Sequence, residues 1–228
     1  MKNGSGVEAG RIASLGSVSE LDFQVQKSAL KRLMDLVLAL PVVLFLSPLM
    51  LALALLVKLG DPGGAIFVQV RCGRNGETFK CYKFRTMRLD ADARLKHLLE
   101  IDPEARAEWD KYQKLRVDPR VTYIGKFLRK SSLDELPQLF NILRGEMSVI
   151  GPRPITSGEI FRYGSNFNYY TAVRPGVLGQ WQVSGRNTLT YDERVAMDVD
   201  YVRSWSLWND AKILVKAIPV VFGGGGAY

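Results

Sequence analysis

"LKRLMDLVLALPVVLFLSPLMLALALLVKLG", residues 30–60, decides how the rest of the chain is read. From Leu36 to Val57 it runs 22 residues without a charge, enough to cross a hydrocarbon core roughly 30 Å thick. A cleavable leader fits poorly, because the run is long and starts well inside the chain. Ser47-Pro48 falls near its middle, and an interior proline removes a backbone hydrogen bond and kinks or breaks a helix. Membrane helices tolerate such prolines, so two readings stand: a spanning helix, and a re-entrant helix-break-helix that returns to the same face. Lys27, Lys31 and Arg32 precede the run, and Lys58, Arg71 and Arg74 follow it. Positive charge on both sides sets no crossing direction, and the re-entrant form satisfies both flanks.

Working outward, residues 1–26 are rich in Gly and Ser and read as a flexible tail. "GAIFVQVRCGRNGETFKCYKFRTM", residues 64–87, reads as a β-hairpin around Asn75-Gly76. A two-residue type I′ turn there would set Cys72 opposite Phe79, with Cys81 only diagonal to Cys72. The hairpin delivers Lys83 and Arg85 close together. Residues 88–116 read as two charged helices broken at Asp102-Pro103, and residues 191–222 as two more divided near Ser204–Ser206. Trp205 and Trp208 beside Lys212 and Lys216 suit a surface against lipid headgroups, and equally a core helix. The end, 223–228, is Gly-rich. The fold class expected is α/β, mostly α. Its parts are a tail at 1–26, a membrane helix at 27–60, a folded domain at 61–222 and a flexible end at 223–228.

The net charge is +8 over 228 residues. Residues 1–26 carry two basic and three acidic side chains, so the body holds +9. Such a body suits anionic lipid, phosphorylated substrates or nucleic acid. No recognised reading motif accompanies the basic residues, so nucleic acid is not expected. Cys72 and Cys81 read as reduced packing residues. His97, the single histidine, sits on a charged helical face with nothing nearby from which to build a zinc site or a Ser-His-Asp triad.

In "SSLDELPQLFNILRG", residues 131–145, Leu136, Leu139, Phe140 and Leu143 take the spacing of an amphipathic helix. Ser132 and Glu135 match a capping box, but that start leaves Pro137 inside the helix. Asp134 as N-cap puts Pro137 where an N–H is unpaired anyway, and is preferred. A carboxylate there is stabilised as an anion by roughly 0.3–1 kcal/mol, and an ionised Asp can attack phosphorus. Taken alone, Asp-Glu is most often a helix cap. Two anions meeting need a cation between them, and Mg²⁺ takes one or two carboxylates plus phosphate oxygens. Arg129, Lys130, Arg144 and Arg153 lie close in sequence, and the prolines of "GPRP" stiffen the backbone around Arg153.

Three stretches together carry more: "KFRTM" (83–87), "DPRVTYIGKFLRKSSLDELPQLFNILRGEMSVIGPRP" (118–154) and "RPGVLGQWQVSGRN" (174–187). They resemble the bacterial sugar transferases, monotopic enzymes that move hexose-1-phosphate from a UDP-sugar to undecaprenyl phosphate and release UMP. The resemblance runs from about residue 31 to 220. It implies a re-entrant helix bent at Ser47-Pro48 and a catalytic domain on the cytoplasmic face of the bacterial inner membrane. It implies Asp134 as nucleophile and Mg²⁺ ligand, with Glu135 as metal partner or acid/base. Lys83, Arg85, Arg129, Arg153 and Arg186 would contact phosphate and nucleotide. Where related sequences read Ile-Thr-Gly, this chain has Val177-Leu178-Gly179, which questions any substrate contact at position 178. Its short length and Gly-rich end resemble members that start succinoglycan-type exopolysaccharides, suggesting galactose-1-phosphate with glucose-1-phosphate as rival. Whether the chain forms a homodimer stays open.

Two other classes compete. A metal-dependent glycosyltransferase releasing UDP would use Asp90-Ala91-Asp92 or Asp198-Val199-Asp200, both in helical patterns. A non-enzymatic membrane adaptor would use the basic surface, with the dyad only as a cap.

Overall fold

The computed structural model describes residues 28–112, 115–185 and 188–222. The expected tails, Lys27 and Arg186 lie outside the described residues. In chain order the elements are α1 (Ala29–Gly60), β1 (Ile66–Cys72), β2 (Thr78–Phe84), α2 (Ala91–Ile101), α3 (Pro103–Tyr112), α4 (Tyr123–Ser131), α5 (Gln138–Arg144), β3 (Ser148–Ile150), α6 (Ile160–Tyr163), α7 (Phe167–Thr171), β4 (Gly176–Leu178), α8 (Gln180–Ser184), α9 (Tyr191–Arg203) and α10 (Leu207–Phe222). β1 and β2 pair antiparallel; β3 and β4 pair parallel. The fold is mostly helical with two small sheets, and both expected helix pairs are present. Asp102 divides α2 from α3 by accepting from the Glu104 and Ala105 N–H groups (2.9 and 3.0 Å), an N-cap in front of Pro103.

α1 starts where Ser28 Oγ accepts from the Lys31 N–H (3.1 Å). The expected break at Ser47-Pro48 is absent, and one helix runs through both Pro41 and Pro48. The reason is local. Pro48 has no N–H for the Leu44 carbonyl, and Ser47 Oγ donates to that carbonyl instead (2.9 Å).

One stripe of α1 is buried: Lys31, Asp35, Ala39, Val43, Met50, Leu53 and Val57. Ala39 joins Phe79, Cys81, Ile142 and Met147 in one core cluster. Met50, Leu53 and Val57 join Phe84 and Leu128 in another. The opposite face is bare, with Phe45 84% and Leu51 74% exposed.

Two of the positive flanks expected on α1, Lys31 and Arg32, are drawn into the protein, while Lys58 stays exposed. Lys31 is 4% exposed and lies 2.8 Å from Asp210 Oδ2. Arg32 donates to the Ile142 and Leu143 carbonyls at the end of α5 (2.6 and 2.9 Å), where a cation complements the helix dipole. At the other end, Arg85 grips Asp61 through its carboxylate (3.0 Å) and its carbonyl (2.6 Å). Both ends of α1 are therefore fixed to the same body.

The hairpin register differs by one residue from that expected. Cys72 faces Thr78, Arg71 faces Phe79, and Phe67 faces Lys83. The loop runs from Gly73 to Glu77, closed by Gly73 N–H to Glu77 O (2.7 Å) and Glu77 N–H to Arg74 O (3.2 Å). Asn75 (φ 59°) and Gly76 (φ 76°) both take left-handed backbone, as the Asn-Gly pair suggested, but inside a longer turn. Cys72 and Cys81 are free and buried, in separate clusters.

β3 and β4 approach closely at Gly151 and Gly176. A Cβ on Gly176 would fall onto the Gly151 backbone nitrogen, far inside contact distance. This approach brings the turn carrying Arg153 beside the second sheet.

Candidate active site

The carboxylate pair sits on a 3₁₀ turn rather than at a helix start. α4 ends at Ser132 in left-handed backbone (φ 57°). The chain then turns through Leu133–Glu135, with Leu136 N–H to Leu133 O (3.2 Å), and α5 begins only at Gln138 behind Pro137. Pro137 lacks the N–H that would extend the helix backward. Asp134 is thus no N-cap, and the dipole stabilisation expected for it does not apply.

Glu135 is the hub. Its Oε1 lies 2.6 Å from Lys83 Nζ and 3.6 Å from Arg153 Nη2. Desolvation pushes the Glu135 carboxyl up, but Lys83, Arg153 and a bond from the Gln138 side chain outweigh it and hold the group below its ordinary range. Glu135 is an anion committed to its cations, which suits it poorly to shuttling protons.

Asp134 behaves oppositely. Burial raises its carboxyl above the usual range, Lys83 pulls it down, the Glu135 charge pushes it up, and Arg129 lowers it again. Two adjacent carboxylates thus differ in character: one neutralised by direct partners, the other partly buried and short of positive charge.

Glu135, but not Asp134, lines a pocket together with Arg71, Lys83, Gln138 and Arg153, with Cys81 and Val177 as apolar wall. Three cations face one carboxylate, an arrangement suited to a polyanion. Of the expected contacts, Lys83 and Arg153 meet at Glu135. Arg129 stands next to them, its Nε donating to Thr86 Oγ1 (3.0 Å) and its charge felt by Asp134. Arg85 is not brought there, being turned onto Asp61. Arg144 is drawn off to the Tyr82 hydroxyl and ring.

Arg71 and Gln138 were missed by sequence reasoning. Opposed residues of an antiparallel pair share a face, and a one-residue slip moves a side chain to the other face. With Phe67 opposite Lys83, Arg71 lies on the face of Lys83; the expected register put it on the reverse. Leu178 packs with the cluster of Ile150, Val202 and Tyr201, while Val177 lines the pocket.

The remaining sequence candidates fall elsewhere. Asp198 is buried, accepting from the Tyr163 hydroxyl (2.7 Å), whereas Asp200 is met from outside by Gln180 (3.1 Å). Two positions apart on α9, they point to different sides and share no ligand. Asp90 pairs with Arg94 at the surface (2.8 Å). His97 is exposed on α2. Trp205 turns inward to Asp210 (3.1 Å), while Trp208 stays 69% exposed near Lys212.

A pocket of three cations around one carboxylate, on a body that also carries one long apolar helix, defines a protein with a built anion-binding site. The sequence model described as "Bacterial sugar transferase" matches residues 26–224, and the chain belongs to that family. It is 52% identical over 199 residues to the undecaprenyl-phosphate galactose phosphotransferase of Salmonella typhimurium, covering 87% of this chain and 42% of that protein. It is 45% identical over 221 residues to the exopolysaccharide production protein ExoY of Sinorhizobium fredii, covering 97% and 93%. It is 40% identical over 206 residues to the UDP-glucose:undecaprenyl-phosphate glucose-1-phosphate transferase of Caulobacter vibrioides, covering 87% and 72%. The chain thus spans less than half of the Salmonella relative and nearly all of the Sinorhizobium one.

Proposed function

We propose that the protein transfers hexose-1-phosphate from a UDP-sugar to undecaprenyl phosphate, releasing UMP, as the first step of exopolysaccharide assembly. The observation that carries this is the division of labour in the dyad: Glu135 gathers Lys83 and Arg153, leaving Asp134 beside them without an ion-pair partner of its own among the described residues. The relatives' names support the substrates. Galactose is the preferred sugar on the Salmonella name, with glucose the second reading on the Caulobacter name.

In this scheme the diphosphate lies against Lys83, Arg153 and Arg129. A carboxylate oxygen of Asp134 attacks the β-phosphorus. The bond from that phosphorus to the bridging oxygen breaks, and UMP leaves with the electron pair. An acyl phosphate now carries the sugar-1-phosphate. An oxygen of undecaprenyl phosphate attacks the same phosphorus and frees the carboxylate, giving the lipid-linked diphospho-sugar.

Mg²⁺ belongs to this reading. Among the described residues no cluster of three His, Cys, Asp or Glu could hold a metal, so an all-protein cage does not fit. One carboxylate plus substrate phosphates does, as Mg²⁺ commonly accepts. Asp134 is the residue that would hold it, and the ion would offset the effect of burial on that carboxyl and neutralise charge developing on the phosphates.

We read α1 as monotopic, at the cytoplasmic face of the bacterial inner membrane. A crossing helix needs about 20 residues clear of the protein, yet the longest stretch of α1 between buried positions runs only from Leu44 to Leu49. Its bare face favours insertion in the interface, where a soluble nucleotide sugar and a lipid phosphate can meet. For the homodimer, the support is β1, which pairs with no strand other than β2 among the described residues and whose Phe67 and Val70 are about half exposed.

The test uses the full chain in nanodiscs with UDP-hexose labelled at the β-phosphate. Label retained on denatured protein, with UMP released before lipid is added, is the expected result. Release of UDP, or turnover that requires both substrates at once with no labelled protein, overturns the scheme.

A further inference from the structure

We propose that Arg71 is a positioning residue for Arg153, acting through the carbonyl of Pro154. The inference rests on the reading of the pocket just given.

Arg153 sits in a turn whose neighbours on both sides are prolines, so Pro152 and Pro154 have no N–H to anchor it. The turn is held through its other groups. On the near side, Gly151 N–H donates to Leu178 O (3.0 Å) and Gly176 N–H to Pro152 O (2.8 Å). On the far side the restraint comes from the end of β1. Arg71 Nη1 donates to Pro154 O (3.0 Å), and Cys72 N–H donates to Ile155 O (2.9 Å). The Tyr170 hydroxyl closes the arrangement, donating to Cys72 O (2.7 Å) and accepting from the Ile155 N–H (3.2 Å).

Arg71 is itself fixed in plane. Its Nη2 donates to Gln69 Oε1 (2.6 Å), and Glu159 lies 3.6 Å away. Glu159 is oriented in turn by the Thr156 N–H and hydroxyl, each at 2.8 Å. A guanidinium offers donors in a rigid fork, which a lysine ammonium does not. One Arg71 side chain thus bridges β1 to the residue after Arg153, while lining the pocket that Arg153 enters. A loose Arg153 would lose the register with Glu135 on which a preorganised anion site depends.

The experiment is a double-mutant cycle on the full chain in nanodiscs: Arg71→Ala, Arg153→Ala, both together, and Arg71→Lys. UMP release gives kcat and KM, and UDP affinity by calorimetry is read in parallel. Displacement of a substrate-orienting group by about 1 Å can cost on the order of 100-fold, so Arg71→Ala should lose about 10- to 100-fold in kcat/KM. Added guanidinium ion should restore part of that loss in Arg71→Ala but none in the double variant. The double variant should match Arg153→Ala alone. Losses that multiply, or an Arg71→Ala enzyme with unchanged kcat/KM, overturn the proposal. If Arg71→Ala melts early, Arg71→Lys takes its place in the cycle, and multiplying losses or an unchanged kcat/KM count against the proposal in the same way. Should the wild type release no UMP, the transferase reading falls, while coupling between Arg71 and Arg153 is still decided by the UDP affinities.

Discussion

Lys83 Nζ lies 2.6 Å from Glu135 Oε1, joining the end of β2 to the 3₁₀ turn of the carboxylate pair. The side chains are 18% and 21% exposed, so the pair is neither a surface bridge of little value nor a fully buried one. Lys83→Ala should destabilise the protein by about 1–3 kcal/mol, because it strands a carboxylate. Adding Glu135→Leu should recover much of that stability while turnover stays lost. Thermal melts of the three variants check this, and a double variant no more stable than Lys83→Ala would contradict it.

Asp134→Asn should lower UMP release at least about 1,000-fold, as expected on removing a nucleophile. Burial already disfavours the Asp134 charge, so the amide should melt no earlier than the wild type above pH 7. An active Asn enzyme would remove Asp134 from the role of nucleophile.

Asp198 gives a pH signature unrelated to the reaction. Burial pushes its carboxyl up to about 7, against the lowering effect of the Tyr163 hydroxyl. Unfolded, it titrates at about 3.9. Between those values the native state keeps a proton that the unfolded state has released, so stability is full below about 4 and falls as pH rises to about 7. Asp198→Asn should flatten that slope and melt later than wild type at pH 8. Equal slopes for both proteins in melts from pH 4.5 to 8 would refute the assignment.

Ser47→Ala should cost about 1–2 kcal/mol, because the Leu44 carbonyl loses its donor beside Pro48. Ser47→Ala with Pro48→Ala should regain it, since an alanine in place of the proline supplies the missing N–H. Melting in nanodiscs measures both. A double variant as unstable as the single one would show that the hydroxyl does not stand in for the missing amide.

Gly176→Ala should be worse than about 3 kcal/mol. The added Cβ meets rigid backbone at Gly151, which cannot swing aside as a side chain would. Expression with retained melting behaviour would mean that the two strands part more easily than their packing suggests.

Much of this was readable in the chain before folding was considered. The apolar run, the dyad, the division of α2 from α3 at Asp102-Pro103 and of α9 from α10 near Ser204–Ser206 follow from composition and local propensity, which depend on neighbouring residues. What was not readable depends on residues far apart. Lys31 and Arg32 looked like membrane flanks until Asp210 and the end of α5 were brought to them, and Lys31 also donates to a carbonyl 119 positions away. Arg85 looked like a partner of Lys83 until Asp61 claimed it. Arg71 entered the pocket because the hairpin loop holds five residues where two were expected, and each residue of register reverses the face. Local sequence determined which side chains were available to the site. Only tertiary contact decided which charges were neutralised elsewhere, because ion pairing and strand register are settled by whichever distant partner the packed chain places within reach.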